Sequence, residues 1–283
     1  MRSNSGDDRV RGRLRRQALR LRLYQLVVFA ALLAFWYVAT NPTLLPPIYF
    51  DDPNKAAFFF GEPVKVGVRV WHWFAFGEIY RHLWVTLIET LLAFCIGTVS
   101  GIAIGIWMAL APRASAVMDP YIKAANAMPR VILAPIFFVW FGLGIASKVA
   151  LGVTLVFFIV FFNVYQGVRE VSPVVLANAR MLGASRRQLL RHVYLPSAMS
   201  WVFASLHNSV GLAFVGAVVG EYLGSSEGVG YLIQQAEGVF DMNTVVAGIV
   251  VLTVFALALD WLVSAVERRL LVWQPGSGDT GRE

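Results

Sequence analysis

Residues 83–110 read LWVTLIETLLAFCIGTVSGIAIGIWMAL, a stretch whose single charged residue is Glu89. At 1.5 Å per helical residue it is long enough to cross the ~30 Å hydrocarbon core of a bilayer. Gly97, Gly101 and Gly105 recur every fourth residue. They share one helix face, where a second helix can approach closely. That spacing is a packing device and indicates no particular function.

The same pattern repeats on both sides. Upstream, Leu23 to Thr40 is apolar or weakly polar and just long enough to span. The 22 residues before it hold eight arginines. So long a basic stretch, with no small-x-small site after the apolar run, favours a retained first span over a signal peptide. The 41–82 connection contains Pro42, Pro46, Pro47, Pro53 and Pro63 and cannot be one helix. Trp71, Trp73, Phe74 and Phe76 near its end suit either the water–lipid boundary or a small packed external loop. Downstream, 111–127 reads as a polar connection. Val131 to Ile145, bounded by Pro129 and Gly142-Leu143-Gly144, reads as a short third helix, tilted or shielded by protein. Val149–Val168, Ala198–Gly220 and Val245–Val266 supply the fourth, fifth and sixth spans.

The expected fold is therefore an all-α polytopic membrane protein of about six transmembrane helices. Its parts are a basic tail (1–22), a first span (23–40), an external loop (41–82), a core (83–270) and a polar tail (271–283). Composition agrees: 58% of residues are hydrophobic and 14% charged, against roughly 25% charged in soluble domains. Little chain remains for a long soluble domain. The lone Cys95 excludes an internal disulfide and a cysteine metal cluster. No metal-ligand spacing links His72, His82, His192 and His207.

The net charge of +7 would suggest a nucleic-acid partner in a soluble protein, but here its placement matters more. Nineteen of the 24 basic residues fall in the two tails and the 111–130 and 169–196 connections, and five fall in the alternate connections. By the positive-inside rule, both termini are cytoplasmic.

The 169–196 connection is too polar to span and too patterned to be a linker. Leu176, Ala179 and Leu182 repeat at helical spacing. Gly183 suits a helix C′ position with positive φ, and Ser185 can cap a second short helix. Leu189, Leu190 and Val193 form the apolar side of that helix, and Pro196 blocks its continuation. The product is a glycine-hinged elbow at 171–195. From physics alone, such an elbow either lies on anionic lipid or docks on a partner.

Ala177-Asn178-Ala179, three residues, Gly183, nine residues, Val193, then Leu195-Pro196 resembles the cytoplasmic Glu-Ala-Ala signature of ABC importer permeases. The third position, the glycine and the Leu-Pro are in register, while Ala177 stands where Glu is usual and Asn178 where Ala is usual. Met128-Pro129-Arg130-Val131-Ile132-Leu133-Ala134-Pro135, Trp140 to Gly144 with Lys148, Gly220-Glu221-Tyr222-Leu223-Gly224 and Gly228 to Leu232 look like the nitrate/sulfonate/taurine branch. The similarity covers roughly residues 83–271.

The resemblance implies a MetI-like permease bundle in a bacterial inner membrane. It also implies a second permease subunit, as a homodimer, cytoplasmic ATPases and an external substrate-binding protein. Ala177, Asn178, Ala179, Gly183, Ala184, Val193, Leu195 and Pro196 would form the ATPase-coupling surface. The solute would be a small anion such as a sulfonate or nitrate. No cofactor is expected in this chain. No glycine directly precedes a lysine, so the phosphate-binding G-x-x-x-x-G-K-[ST] loop is missing, and ATP and Mg would be held by the ATPase. Catalysis by this chain is not expected.

Polar residues inside spans are functional candidates. His207 and Asn208, near the middle of the fifth span, lead as substrate-pathway residues, with Asn163 and Glu89 beside them. Their competing role is hydrogen bonding between helices. Asp260, near the inner end of the sixth span, is in reach of Arg268 or Arg269. The alternative class is a secondary transporter or channel, which requires coupling charges and inverted repeats; no convincing repeat is visible. A membrane enzyme or assembly factor would need a reactive cluster at one face, and none stands out.

Overall fold

A computed structural model describes residues 4–41 and 55–270, with the side chains of 4–16, 18, 200, 204, 207 and 266–270 excepted. Every regular element among the described residues is helical. They are α1 (Asn4–Thr40), α2 (Lys55–Phe60), α3 (Pro63–Phe76), α4 (Glu78–Leu110), α5 (Pro112–Ala127), α6 (Ala134–Phe141), α7 (Ile145–Arg169), α8 (Pro173–Met181), α9 (Arg186–Leu189), α10 (Leu195–Leu223), α11 (Val229–Gly238) and α12 (Met242–Leu270). Four helices are long and apolar enough to cross a membrane, at 19–40, 78–110, 145–169 and 242–265. Two bent pairs among the described residues, 112–127 with 130–141 and 186–203 with 208–223, raise the count to as many as six where each pair is one span.

The chain forms two compact units. One holds residues 1–72 and 236–247, the other 73–235 and 248–283. In the first, the apolar part of α1 is exposed on all sides, as suits a helix surrounded by lipid. Two short helices, α2 and α3, occupy part of the 41–82 stretch, with Gly61 at positive φ between them. The Glu62 N–H donates to Asn243 Oδ1 at 2.8 Å, and Arg69 pairs with Asp241 at 3.3 Å. The aromatic cluster divides: Trp73 is buried, while Trp71 and Phe76 are exposed.

The second unit is built around α7. The glycine stripe of α4 rests on it. A Cβ added at Gly97 would lie 2.7 Å from Val156 Cβ, and one at Gly101 would lie 2.9 Å from Val160 Cβ. On the other side, a Cβ at Gly216 of α10 would lie 2.5 Å from Gly152 Cα of α7. Ala93, Val156, Val160, Val164, Val202 and Ala213 fill the seam. Small side chains bring the three backbones together, so dispersion contacts do what water-driven burial cannot do in lipid.

Two local readings change. Residues 112–127 form a helix rather than a polar connection, and with 130–141 they make a pair bent by 88° that together has the length and apolarity of a span. Arg113, Asp119 and Lys123 lower the apolarity of this segment, which hid its helical character from a hydropathy reading. Pro196 does not stop the chain's helical course. A π-turn at Leu190–Tyr194 leads directly into α10, and the Leu195 N–H bonds to Leu190 O. The widened turn makes room for the ring, and the proline falls in the first turn of α10, where its missing N–H is tolerated.

Candidate functional site

The elbow is built from α8, a glycine cap and α9. Ser172 precedes α8, and Pro173 opens it with φ already set for a helix. At its other end the Gly183 N–H bonds to Arg180 O at 2.9 Å and the Ala184 N–H to Ala179 O at 3.0 Å. These are the two bonds of a Schellman cap, and they require the positive φ of +77° found at Gly183. Ser185 Oγ then accepts from the Gln188 N–H, and Gln188 Oε1 accepts from the Ser185 N–H, a complete capping box.

Ala177 and Asn178 are exposed on α8, and Ala184 is half-buried at the hinge. Val193 sits in the π-turn, and Leu195-Pro196 open α10. Met181 and Leu182 are 85% and 88% exposed at the tip, with Val174 also exposed. Apolar tips so bare mark a contact surface. The elbow is one covalent run with α10, without a loose loop between them.

At the opposite end of these helices, ionisable side chains are buried together. Lys148, Glu89 and Glu221 are each at most 1% exposed. Glu221 Oε1 accepts from Thr86 Oγ1 at 2.6 Å and its Oε2 from the Gly230 N–H at 2.8 Å. The Val229 N–H donates to Thr86 Oγ1 at 3.3 Å, and the Gly228 N–H donates to His82 Nδ1 at 3.1 Å. Arg81 pairs with Glu227. The first N–H groups of α11 have no partners within that helix; here they are satisfied by side chains from α4 and α10. Gly228 has φ +104°, and a Cβ there would meet Glu221 Cδ at 2.1 Å.

Lys148 Nζ donates to Leu143 O and to Gly144 O, the latter at 3.0 Å, and lies 5.8 Å from the centroid of the Phe138 ring. Lys148 is the cation that interacts electrostatically with both buried carboxyls. Glu89 Oε2 is buried without a hydrogen-bond partner.

The pathway candidates separate. Glu89 is enclosed in this cluster, where no solute reaches it in this conformation. Asn163 is half-buried and donates to Ile159 O of its own helix at 2.7 Å. Asn208 is exposed on α10. The side chain of His207 lies outside the described residues.

The family described as binding-protein-dependent transport system inner membrane component matches residues 101–272. The chain belongs to this family. The permease is 30% identical over 249 residues to the putative aliphatic sulfonates transport permease protein SsuC of Bacillus subtilis, covering 88% of this chain and 87% of that protein. It is 29% identical to the taurine transport system permease protein TauC of Escherichia coli, covering 86% and 87%. In fold it is similar to a chain of the MetNI methionine ABC transporter in inward-facing conformations. The TM-score is 0.59 at 16% identity, over 68% of this chain and 95% of that one. The protein is thus a multi-pass permease subunit of an ABC importer with a MetI-like helical bundle.

Sequence reasoning counted Lys148 and Glu221 of this permease in connections and quoted both within the motifs of the resemblance, but gave neither a role. A signal was present: each lies within four residues of a glycine pair, Gly142/Gly144 and Gly220/Gly224. At Glu221 those glycines let neighbouring chain close over the charge, for a Cβ at Gly220 would lie 2.8 Å from Lys148 Cγ.

Proposed function

We propose that this permease imports a small sulfonate-type anion, handed over by an external binding protein and driven by ATPases docked on the 171–195 elbow. The observation that carries the coupling role is the Schellman-capped hinge at Gly183. It presents exposed Met181 and Leu182 on a structure continuous with α10. A rigid arm transmits displacement that a loose loop would absorb. ATP and Mg belong to the ATPase in this reading, and a second copy of the permease completes the pathway. The charge asymmetry, sixteen to five when Arg113, Lys123 and Arg130 of the bent pair are left out, supports cytoplasmic termini and a cytoplasmic elbow. The sulfonate class is supported by the relatives named for aliphatic sulfonates and taurine.

The test is co-purification in mild detergent followed by uptake. The intact permease should bring down an ATPase bearing a phosphate-binding loop. Cells lacking the permease should lose growth on an alkanesulfonate as sole sulfur source. Unchanged growth refutes the substrate class, and repeated failure to recover an ATPase refutes the coupling role.

A further inference from the structure

One half of the bent span is too polar for lipid. On α5, Asp119, Lys123 and Asn126 are spaced four and three residues apart, and Arg130 follows four later, just past the helix end. Such spacing places them along one side. Asp119, Lys123 and Asn126 are all exposed. Lys123 Nζ binds Asp119 at 2.6 Å, and Arg130 Nη2 binds Asn126 Oδ1 at 2.5 Å. Charged residues within a span face a water-filled cavity or protein, not lipid.

Depth can be read from α7. The Arg130 guanidinium stacks on Phe158, 5.1 Å from the ring centroid. Phe158 lies about 20 Å from one end of α7 and about 17 Å from the other at 1.5 Å per residue. Arg130 is therefore level with the middle of α7, at the break of the 88° bend. Among the described residues its hydrogen bonds go only to Asn126, no carboxylate faces it, and its Nε is buried without a partner. From there the polar side leads along α5 and α7 to a cavity of about 470 Å³, lined in part by Asp119, Lys123, Tyr165 and Arg169.

We propose that this face is half of the translocation pathway, running from the middle of α7 to its Arg169 end, and that Arg130 receives the anionic group of the solute. The charges on the track are Arg130, Lys123 and Arg169 against Asp119, an excess of positive charge that suits a monoanion. A guanidinium offers paired N–H donors to two oxygens of a sulfonate, and its partners here, an amide and an aromatic ring, leave its charge uncancelled. The charge on α5 also explains why a segment of this apolarity belongs to a span. The proposal rests on the sulfonate reading for its ligand, but not for the position of the track.

The test uses the complete transporter in proteoliposomes, with radiolabelled butanesulfonate as probe. Arg130→Gln should lower uptake roughly tenfold while binding-protein-stimulated ATP hydrolysis stays within about twofold, and Arg130→Lys should restore much of the uptake. Uptake undiminished by Arg130→Gln, or Lys no better than Gln, overturns the role of the charge. In a Cys95→Ser background, Asn126→Cys should react with a water-soluble, anionic methanethiosulfonate and lose uptake. Failure to react overturns the track itself. If the unmodified transporter takes up no sulfonate, the ligand assignment falls, and the cysteine reaction still decides the track.

Discussion

Replacing Gly183 by asparagine, alanine and valine in turn perturbs the elbow through backbone conformation alone. A Cβ at this position meets nothing within 4 Å, yet φ is +77°. The penalty is therefore conformational and involves no collision. Two cap bonds, at 2.9 and 3.0 Å, favour the hinge by about 2 kcal/mol if each contributes ~1 kcal/mol. A left-handed conformation costs alanine ~1 kcal/mol and a β-branched residue about 2–3 kcal/mol, while asparagine tolerates it better. The hinged population then falls from about 97% to about 85% for alanine and to about 15–50% for valine. The assay is solute imported per ATP hydrolysed in proteoliposomes. Asparagine and alanine should stay close to the parent, and valine should lose roughly two- to sevenfold. A valine variant with full coupling, in folded protein at normal abundance, refutes the elbow as the transmitting element.

Gly101→Val should lower thermal stability in detergent by about 1–3 kcal/mol or more, since its side chain would enter space held by Val160 Cβ and Phe157 O, at 2.9 and 3.0 Å from the added Cβ. Removing a helical glycine returns at most ~1 kcal/mol, so a neutral result would show that α4 and α7 are not this close. Lys148→Met should destabilise by about 3–5 kcal/mol, because it leaves Glu89 and Glu221 buried without their neighbouring cation. Adding Glu221→Gln should recover part of that loss, and a double-mutant cycle with coupling near zero would place the lysine and carboxyl outside one network. Gly228→Ala combines a forbidden φ with a contact at 2.1 Å. It should cost about 3 kcal/mol or more, read as loss of folded protein on thermal melting.

The long apolar spans were legible because hydrocarbon imposes one dominant requirement, and residues 83–110 or 145–169 meet it without interruption. The glycine stripe was legible as a contact face, though not its partner, because spacing specifies a face and α7 is remote in sequence. The hinge at Gly183 was readable residue by residue, since caps are local chemistry. Two features were not. The α5 segment hid because its charges face away from lipid, so low hydropathy there signals a polar lining and not a loop. Lys148 and Glu221 hid because their burial depends on residues far along the chain: Glu221 is satisfied by Thr86, a contact between positions 135 apart. Long-range satisfaction of this kind leaves no periodic mark on either segment.

The same long-range contacts bear on how the permease moves. The helix α10 carries the elbow at one end and Glu221 at the other, and the run from α9 into α10 bends by 57° between 186–203 and 208–223. At Gly152 and Gly216, α7 and α10 meet backbone to backbone, and the glycine stripe brings α4 onto the Val156, Val160 and Val164 side of α7. Sliding α4 or α10 along α7 would carry larger side chains into these close contacts. Parting α4 from α10 at this end would break the Thr86–Glu221 bond and strip the 228–230 amides of their partners on one helix or the other. Compliance lies on another side of α10, where an apolar cleft of about 460 Å³ separates it from α12. The three helices and the 224–230 segment should then travel as one body when the elbow is displaced. An Arg81→Cys/Glu227→Cys pair in a Cys95→Ser background, bridged by a short bifunctional methanethiosulfonate that spans the gap left by the Arg–Glu pair, tests this. Bridging should leave uptake within about twofold of the unbridged protein, because the link joins parts that do not separate. Uptake that collapses on bridging and returns with reductant would make the clamp a gate that opens each cycle, and the single-body reading would be lost.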